Sequence, residues 1–391
     1  MLTSNNEPWN RSIADRLSAI YTSMSFGKKI VMYIYEQADT STFRYRDYNV
    51  MCASRKSDKW YADYFFSNSE EKTILETLKV CDIIVIVRVQ WTFFIERLIA
   101  EAKVKNKIVL FDCDDLVFDL DSLPILMNTL GFYNNSYQPD YIKWFSYVSR
   151  IGLTASKCDG FITTNDYLGR IYKDKFNKDY KIIKNSLNNE QIEASEKALI
   201  SKKRKMMYKD FTIGYFSGSP SHTNDFLQVA PEIARFLDTH ENSQLQVVGF
   251  MDFPEFMKKY IDNGQIRFQP LVDFIHLQEL MALVHVNIVP LVNNKFTNCK
   301  SELKFFEGAI VDTITVATPT FAYVKTIEHS VNGFLCNPGE WFDTLDKIYY
   351  KKIDCNRLVQ SAHEYAINNF YGSKITSELD ECYQYFTNNK R

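Results

Sequence analysis

Between two short apolar runs lies Lys300-Ser301-Glu302-Leu303-Lys304-Phe305-Phe306-Glu307-Gly308-Ala309. A cation and a carboxylate fall one turn apart in it, Lys304 and Glu307, behind a possible helix cap at Ser301. At about 100° per residue, Ser301, Lys304 and Gly308 share one stripe and Glu307 lies about 60° to its side. Glu302 points about 140° away from Glu307, so the two carboxylates do not converge. Leu303, Phe306 and Ile310 form the opposite, core-facing stripe. A helix N-terminus after a buried strand, with one Lys and one Glu on its open side, suits a nucleoside diphosphate. The dipole and the Lys take phosphate, and the Glu accepts bonds from ribose hydroxyls. The plainer alternative is a solvated i,i+3 pair on an ordinary crossover helix.

A second cluster, Asp112-Cys113-Asp114-Asp115, closes the apolar run 108–111. Carboxylates at the C-terminal end of a parallel strand stand where such sheets bind ligands. Three roles compete: a phosphatase-like Asp-x-Asp at Asp112 and Asp114, a metal-clamping Asp-x-Asp, or an acceptor-facing turn in which Asp114 or Asp115 binds a hydroxyl. Leu116 and the late position in the chain weigh against the phosphatase. Arg44 and Arg46 follow the first apolar run and alternate with aromatics. In an extended stretch both point the same way, either as a phosphate clamp for a carrier-linked acceptor or as surface salt-bridge partners. Arg88, after the run 83–87, has the same rim position. Gly218, Ser219 and His222 form a glycine-containing turn whose backbone can approach phosphate.

These residues need rigid elements to hold them. Apolar runs at 30–35, 83–87, 108–111, 160–163 and 181–183 alternate with helical patterns at 70–79, 93–103, 141–157 and 166–173. After the polar stretch 186–210 the alternation resumes, with strands expected near 212–216, 244–249, 266–268, 286–290, 313–317 and 333–336. Strand–helix alternation predicts parallel sheets covered on both faces. The fold class is α/β: two doubly wound, Rossmann-like domains facing a cleft, at 1–195 and 205–372, with a helix at 373–391.

The chain has 391 residues, enough for two domains, and a net charge of −2. That charge gives no field for nucleic acid, and no nucleic-acid partner is expected. Eight cysteines without CxxC spacing suggest reduced thiols, neither a disulfide framework nor a zinc site. With no apolar run approaching a membrane span, a cytoplasmic protein is expected. The basic run 202–205 allows peripheral contact with the inner face of a membrane, against the simpler reading of a solvated linker.

The second half resembles the donor-binding domain of glycosyltransferase family 4, enzymes of GT-B fold. Seven segments carry the likeness in order: Phe211-Thr212-Ile213-Gly214-Tyr215-Phe216-Ser217-Gly218-Ser219-Pro220, Asp225-Phe226, Gln246-Val247-Val248-Gly249, Val286-Asn287-Ile288-Val289-Pro290-Leu291, the stretch 301–307, Val316-Ala317-Thr318-Pro319 and Asn332-Gly333-Phe334-Leu335. The resemblance implies a retaining glycosyltransferase that moves sugar from a nucleoside-diphosphate sugar to a saccharide or lipid-linked acceptor, as in surface polysaccharide or glycoconjugate synthesis, with no cofactor or metal. Lys304 and Glu307 would be the catalytic pair, and the last helix would return to the first domain. Leu271 and Val272 would lie beside the base, with Gly218, Ser219, His222, Cys299 and Ser301 also on the donor, and Asp114, Asp115, Arg44 and Arg46 on the acceptor.

The chain departs from the family pattern in three places. The glycine turn lacks the usual Arg and Lys. The first Glu of the common Glu-x7-Glu pair is replaced by Cys299, leaving the sugar to backbone N–H groups at 296–299. All six histidines lie beyond residue 210, so the acceptor-domain histidine is missing. These departures keep two alternatives open, a degenerate GT-B scaffold subunit and a nucleotide-sugar epimerase of similar shape.

Overall fold

The computed structural model describes residues 7–39, 41–130, 137–206, 210–218 and 223–389. It contains two six-stranded sheets, parallel throughout. In the first, β1 (Lys29–Tyr35), β2 (Trp60–Phe66), β3 (Ile83–Val87), β4 (Ile108–Asp112), β5 (Gly160–Thr163) and β6 (Tyr180–Ile182) take the order β2-β1-β3-β4-β5-β6. In the second, β7 (Phe211–Ser217), β8 (Ser243–Gly249), β9 (Ile266–Gln269), β10 (Val286–Val289), β11 (Ile314–Ala317) and β12 (Phe334–Leu335) take the order β12-β11-β10-β7-β8-β9. The central strands β3 and β10 are buried along their whole length, as continuous apolar runs between two helical layers must be.

Strand β2 is absent from the sequence expectation. Its run is interrupted by Asp63, which is fully buried yet satisfied: Arg11 Nη1 lies 3.0 Å from Oδ1 and Tyr61 Oη donates to Oδ2 at 2.7 Å. A strand can carry a buried carboxylate when its partners come from elsewhere in the chain.

The segment 186–210, read as a helical or loose linker, holds a helix, Asn189–Met206. It packs on the helix Phe274–Ala282, where Gln278 Nε2 donates to Ser195 Oγ at 3.1 Å. Lys202, read as solvated or lipid-facing, turns inward: its Nζ donates to the carbonyls of Val311 and Asp312, both at 2.7 Å, and burial lowers its pKa to about 8.

The last helix, Ser373–Asn388, lies against the first sheet. Tyr383 and Tyr33 share a hydroxyl–hydroxyl bond of 2.8 Å, and Ser57 Oγ donates to Asp380 at 2.6 Å. The chain therefore passes between the sheets twice, once before Asn189 and once after Phe370. The two passes lie side by side, joined by Leu187 N–H to the Phe370 carbonyl at 2.8 Å.

Candidate functional site

The C-terminal ends of both sheets face a cavity of about 500 Å³. From the first domain it is lined by Asp39, Thr42, Arg44, Tyr45, Arg88, Asp114 and Asp115. The second domain contributes Gly218, Val248, Leu271, Val272, Lys300, Ser301, Lys304 and Glu307. Nine of the sequence-predicted site residues therefore meet here: Lys304, Glu307, Gly218, Leu271, Val272, Ser301, Asp114, Asp115 and Arg44. Ser219 and His222 lie outside the described residues.

The helix carrying the pair is short, Leu303–Ala309, and Glu302 rather than Ser301 stands at its cap position, with no side-chain cap bond. Ser301 Oγ instead accepts from Asn185 Nδ2 of the first domain at 2.8 Å. Asn287 on β10 fixes the helix by donating to the Lys304 carbonyl at 2.9 Å, and Gln278 donates to the Glu307 carbonyl at 3.2 Å. Lys304 makes no ion pair among the described residues. Its ammonium lies 5.5 Å from the Tyr215 ring centroid, and burial lowers its pKa to about 8. A cation held out of water without a paired carboxylate is ready to receive an anion.

Glu307 is buried and already engaged. Its Oε1 accepts a short hydrogen bond from Tyr45 Oη, and Arg44 Nη2 stands 3.5 Å away. Burial pushes the Tyr45 phenol up, so it stays a donor. The Arg44 guanidinium lies 4.1 Å from the Tyr45 ring and 4.9 Å from that of Phe274, which also stacks on Trp9 at 5.7 Å.

Arg44 and Arg46 do not lie in an extended stretch. They sit on a π-helical turn, Arg44–Tyr48, where a spacing of two sends side chains in different directions. Arg44 faces the cavity. Arg46 is fully buried and grips Asp112 with two bonds, 2.8 Å from Nε and 2.7 Å from Nη2, while Nη1 donates to the Ile183 carbonyl at 2.7 Å. Arg46 thus holds the first domain together behind the cleft wall. The pairing also leaves Asp112 fully buried and occupied, which removes the nucleophile the phosphatase alternative requires.

Asp114 and Asp115 face the cavity with Arg88 between them. Arg88 Nη1 lies 3.1 Å from Asp115 and 3.7 Å from Asp114, and Lys300 reaches Asp115 from the second domain at 3.2 Å. Burial and the Asp115 charge raise the Asp114 pKa, whereas Lys300 and Arg88 overcome burial and hold Asp115 below the usual range. Asp114 Oδ1 has no hydrogen-bond partner.

Cys299, expected on the donor, points away from the cavity into the core of the first domain, beside Phe296. Its Sγ donates to the Lys295 carbonyl at 3.2 Å. The N–H groups expected to meet the sugar are spent locally. Those of Phe296 and Thr297 bond Asn294 Oδ1, that of Asn298 bonds the Asn294 carbonyl, and that of Cys299 bonds the Phe296 carbonyl. The Cys299 carbonyl accepts from Asn165 of the first domain at 2.8 Å.

One side of the cavity is apolar, with Val248, Leu271 and Val272. Next to Val248, Gly249 has a φ of +104°, and a Cβ there would stand 1.8 Å from the Ser217 carbonyl oxygen. A Cβ on Gly218, by contrast, would meet open space.

Sequence reasoning missed Tyr45, Lys300 and Trp9. No local pattern singles out Tyr45, because its partner is 262 positions away. Lys300 lay next to the quoted cap and was passed over for its neighbours. Among the described residues there is no group of three or more His, Cys, Asp or Glu placed to hold a metal ion, and no helix is long and apolar enough to cross a membrane.

No protein-family model matches the chain, and a search of curated proteins returns no match. Solved structures match along nearly the whole length. A glycosyltransferase from Rickettsia africae superposes with a TM-score of 0.62 at 15% identity, over 93% of this chain and 100% of that one. Anabaena HepE, in complex with UDP, superposes with a TM-score of 0.60 at 13% identity, over 91% and 100%. Sucrose-phosphate synthase from Thermosynechococcus elongatus gives 0.59 at 12%, over 92% and 100%. The fold is thus that of the GT-B glycosyltransferases, two doubly wound domains across a cleft.

Proposed function

We propose that the chain is a retaining glycosyltransferase that moves a sugar from a nucleoside-diphosphate sugar to a hydroxyl of a saccharide acceptor. The observation that carries this reading is Lys304, a partly buried ammonium with no ion-pair partner among the described residues, opening on a cavity that also presents Glu307. In the transition state negative charge grows on the leaving diphosphate, and a prepositioned cation in a dry site stabilises it. Glu307 takes the ribose hydroxyls once Tyr45 has released it. Val248, Leu271 and Val272 enclose the base, and Asp114, which lines the cavity with its pKa raised by burial, accepts from the attacking hydroxyl. The leaving group needs no divalent metal in this scheme. Surface polysaccharide or glycoconjugate synthesis is the setting that the fold's resemblance favours.

A carrier-linked diphosphate acceptor has less support, because Arg44, Arg46 and Arg88 all have carboxylate partners. One observation favours a second reading, a non-catalytic GT-B subunit: the Glu307 carboxylate is occupied from within the chain.

Thermal melting with UDP, GDP, ADP, CMP and dTDP, each with and without Mg²⁺, tests both readings. UDP comes first because the HepE structure holds it. A ligand at a hundred times its Kd adds about 2.7 kcal/mol to stability, a clear shift. A metal-independent shift lost in Lys304→Ala supports the transferase. No shift with any of the five supports the non-catalytic subunit.

A further inference from the structure

A diphosphate carries more than one negative charge, and Lys304 answers only one of them. The turn 217–222 contains neither Arg nor Lys, so a second cation has to come from elsewhere. Lys300 lines the same cavity and has no part in the scheme above. It precedes the helix Leu303–Ala309, whose first turn holds Lys304 and whose interior holds Glu307. The three side chains thus open on one cavity in chain order, Glu307 deepest in the helix and Lys300 beyond its start. A nucleoside diphosphate with its ribose at Glu307 meets Lys304 first and Lys300 second. The far phosphate, the one that carries the sugar, falls to Lys300.

The two ammonium groups act on each other. Burial first, and the charge of Lys300 with it, holds the Lys304 pKa down against the opposing pull of Asp225 and Glu307. Like charges gathered in one cavity are relieved by an anion that lies between them.

Lys300 is engaged by the first domain when no donor is bound. Its Nζ donates to Asp115 Oδ1 at 3.2 Å and lies 4.7 Å from the centroid of the Phe296 ring. Neither contact pins it. An ammonium has three N–H donors on a flexible stem, and the pair is partly open to solvent, its side chains 22% and 21% exposed. Asp115 does not depend on Lys300 alone. Arg88 Nη1 reaches Asp115 Oδ2 at 3.1 Å, and Arg88 is held in turn by Tyr147 Oη, which accepts from its Nε at 3.0 Å. The stem can therefore move without leaving Asp115 unpaired. The Lys300 backbone is fixed: its N–H donates to the Thr297 carbonyl at 3.1 Å, and its carbonyl accepts from Asn165 Nδ2 at 3.3 Å.

Building on the transferase reading, we infer that Lys300 is the second diphosphate-binding cation, which passes from Asp115 to the far phosphate when the donor enters. Because Lys300 and Asp115 belong to different domains, the donor breaks a bridge across the cleft beside Asp114.

Calorimetric titration of the full chain with UDP, GDP, ADP and dTDP, each beside its own monophosphate, tests this. Lys300→Met keeps the apolar stem and removes the charge. It should weaken diphosphate binding by about ten-fold, equivalent to about 1.4 kcal/mol, and monophosphate binding by no more than about two-fold. Asp115→Asn removes the competitor for the ammonium and should tighten diphosphate binding by about three-fold, an effect that disappears in the Lys300→Met background. Unchanged diphosphate affinity in Lys300→Met overturns the inference, as do equal losses for mono- and diphosphate. So does an Asp115→Asn variant that fails to tighten binding, or that tightens it equally without Lys300. With wild-type diphosphate binding intact, each of those results leaves the donor reading standing. A wild-type chain that binds none of the four diphosphates overturns both.

Discussion

The hydroxyl of Tyr45, in the first domain, donates to the carboxylate of Glu307, in the second, and both line the cavity between the sheets. A ribose that bonds Glu307 Oε1 must compete with this donor, so part of its binding energy goes into breaking an internal bond. Removing the hydroxyl while keeping the ring should remove that cost. Tyr45→Phe is expected to tighten UDP binding by roughly ten-fold or more, since a hydrogen bond to a charged group contributes about 1.5–3 kcal/mol. Glu307→Ala should weaken it. Calorimetric titration measures both, and weaker binding in Tyr45→Phe would mean that the hydroxyl serves the ligand and does not compete with it.

Lys304 gives a pH signature. Its folded pKa is lowered to about 8 by burial, against 10.5 for a free lysine. Below pH 8 the ammonium is charged in both folded and unfolded chains, and the cost of burying that charge is fully present. As the pH rises from 8 toward 10.5, the folded chain loses its proton first and the cost is relieved, so this group makes the ligand-free protein more stable. A diphosphate selects the charged form and reverses the trend: UDP affinity should fall as the pH rises through about 8, with proton uptake on binding above that point. Calorimetry in buffers of different ionisation enthalpy detects the uptake, and a flat profile from pH 7 to 9 would remove Lys304 from the phosphates.

In catalysis the same side chain should matter more than in binding. Lys304→Ala is expected to lower turnover by about 10²- to 10³-fold, the loss typical of one transition-state charge partner. Release of nucleoside diphosphate in the presence of an acceptor is the measurement, and near-wild-type turnover would refute the assigned role.

Arg46 and Asp112 predict a different pattern. Both are fully buried, and removing one partner strands the other charge in the interior. Arg46→Ala should destabilise the first domain by about 3–5 kcal/mol. Melting temperature should fall steeply while UDP affinity of the folded fraction remains near wild type. A specific loss of acceptor use without loss of stability would restore Arg46 to the acceptor site.

Glu302 offers a stabilising substitution. It is buried beside Glu378 and Lys184, with the Tyr323 and Tyr365 hydroxyls nearby, and burial raises its pKa to about 7. The folded chain therefore holds its proton more tightly than the unfolded chain, and stability from this group declines as the pH rises from 4.5 through 7. Glu302→Gln should raise the melting temperature at pH 8 by roughly 2–4 °C and leave it nearly unchanged at pH 4.5. Equal shifts at both values would exclude the carboxylate as their source.

The parallel strands were legible because buried strands leave unbroken apolar runs, as in Ile83-Ile84-Val85-Ile86-Val87. Strand β2 was not, since Asp63 interrupts its run and the partner that neutralises it, Arg11, is distant in sequence. At the site, one βαβ unit holds Ser301, Lys304 and Glu307, and local spacing was enough to place them on one cavity. Arg46 was misplaced, while Arg44 does face the cavity, because a strand and a π-helical turn send a spacing of two to opposite destinations, and aromatic alternation suggests the strand. Cys299 was assigned by counting back from Glu307, yet the intervening 3-10 turn, Thr297–Cys299, rotates its side chain into the first domain. The engagement of Glu307 by Tyr45 depends on how two domains meet, and no local sequence pattern encodes that.

The two passes of the chain between the sheets are bonded to each other through Leu187 and Phe370. Two pins fixed side by side permit a door to swing and forbid it to twist or slide. The two covalent crossings are thereby gathered at one place, so any rotation of one domain on the other would be centred near that pair. Contacts far from that pair, such as Asn224 Nδ2 to the Asn128 carbonyl at 3.1 Å, must part before those near it have moved appreciably.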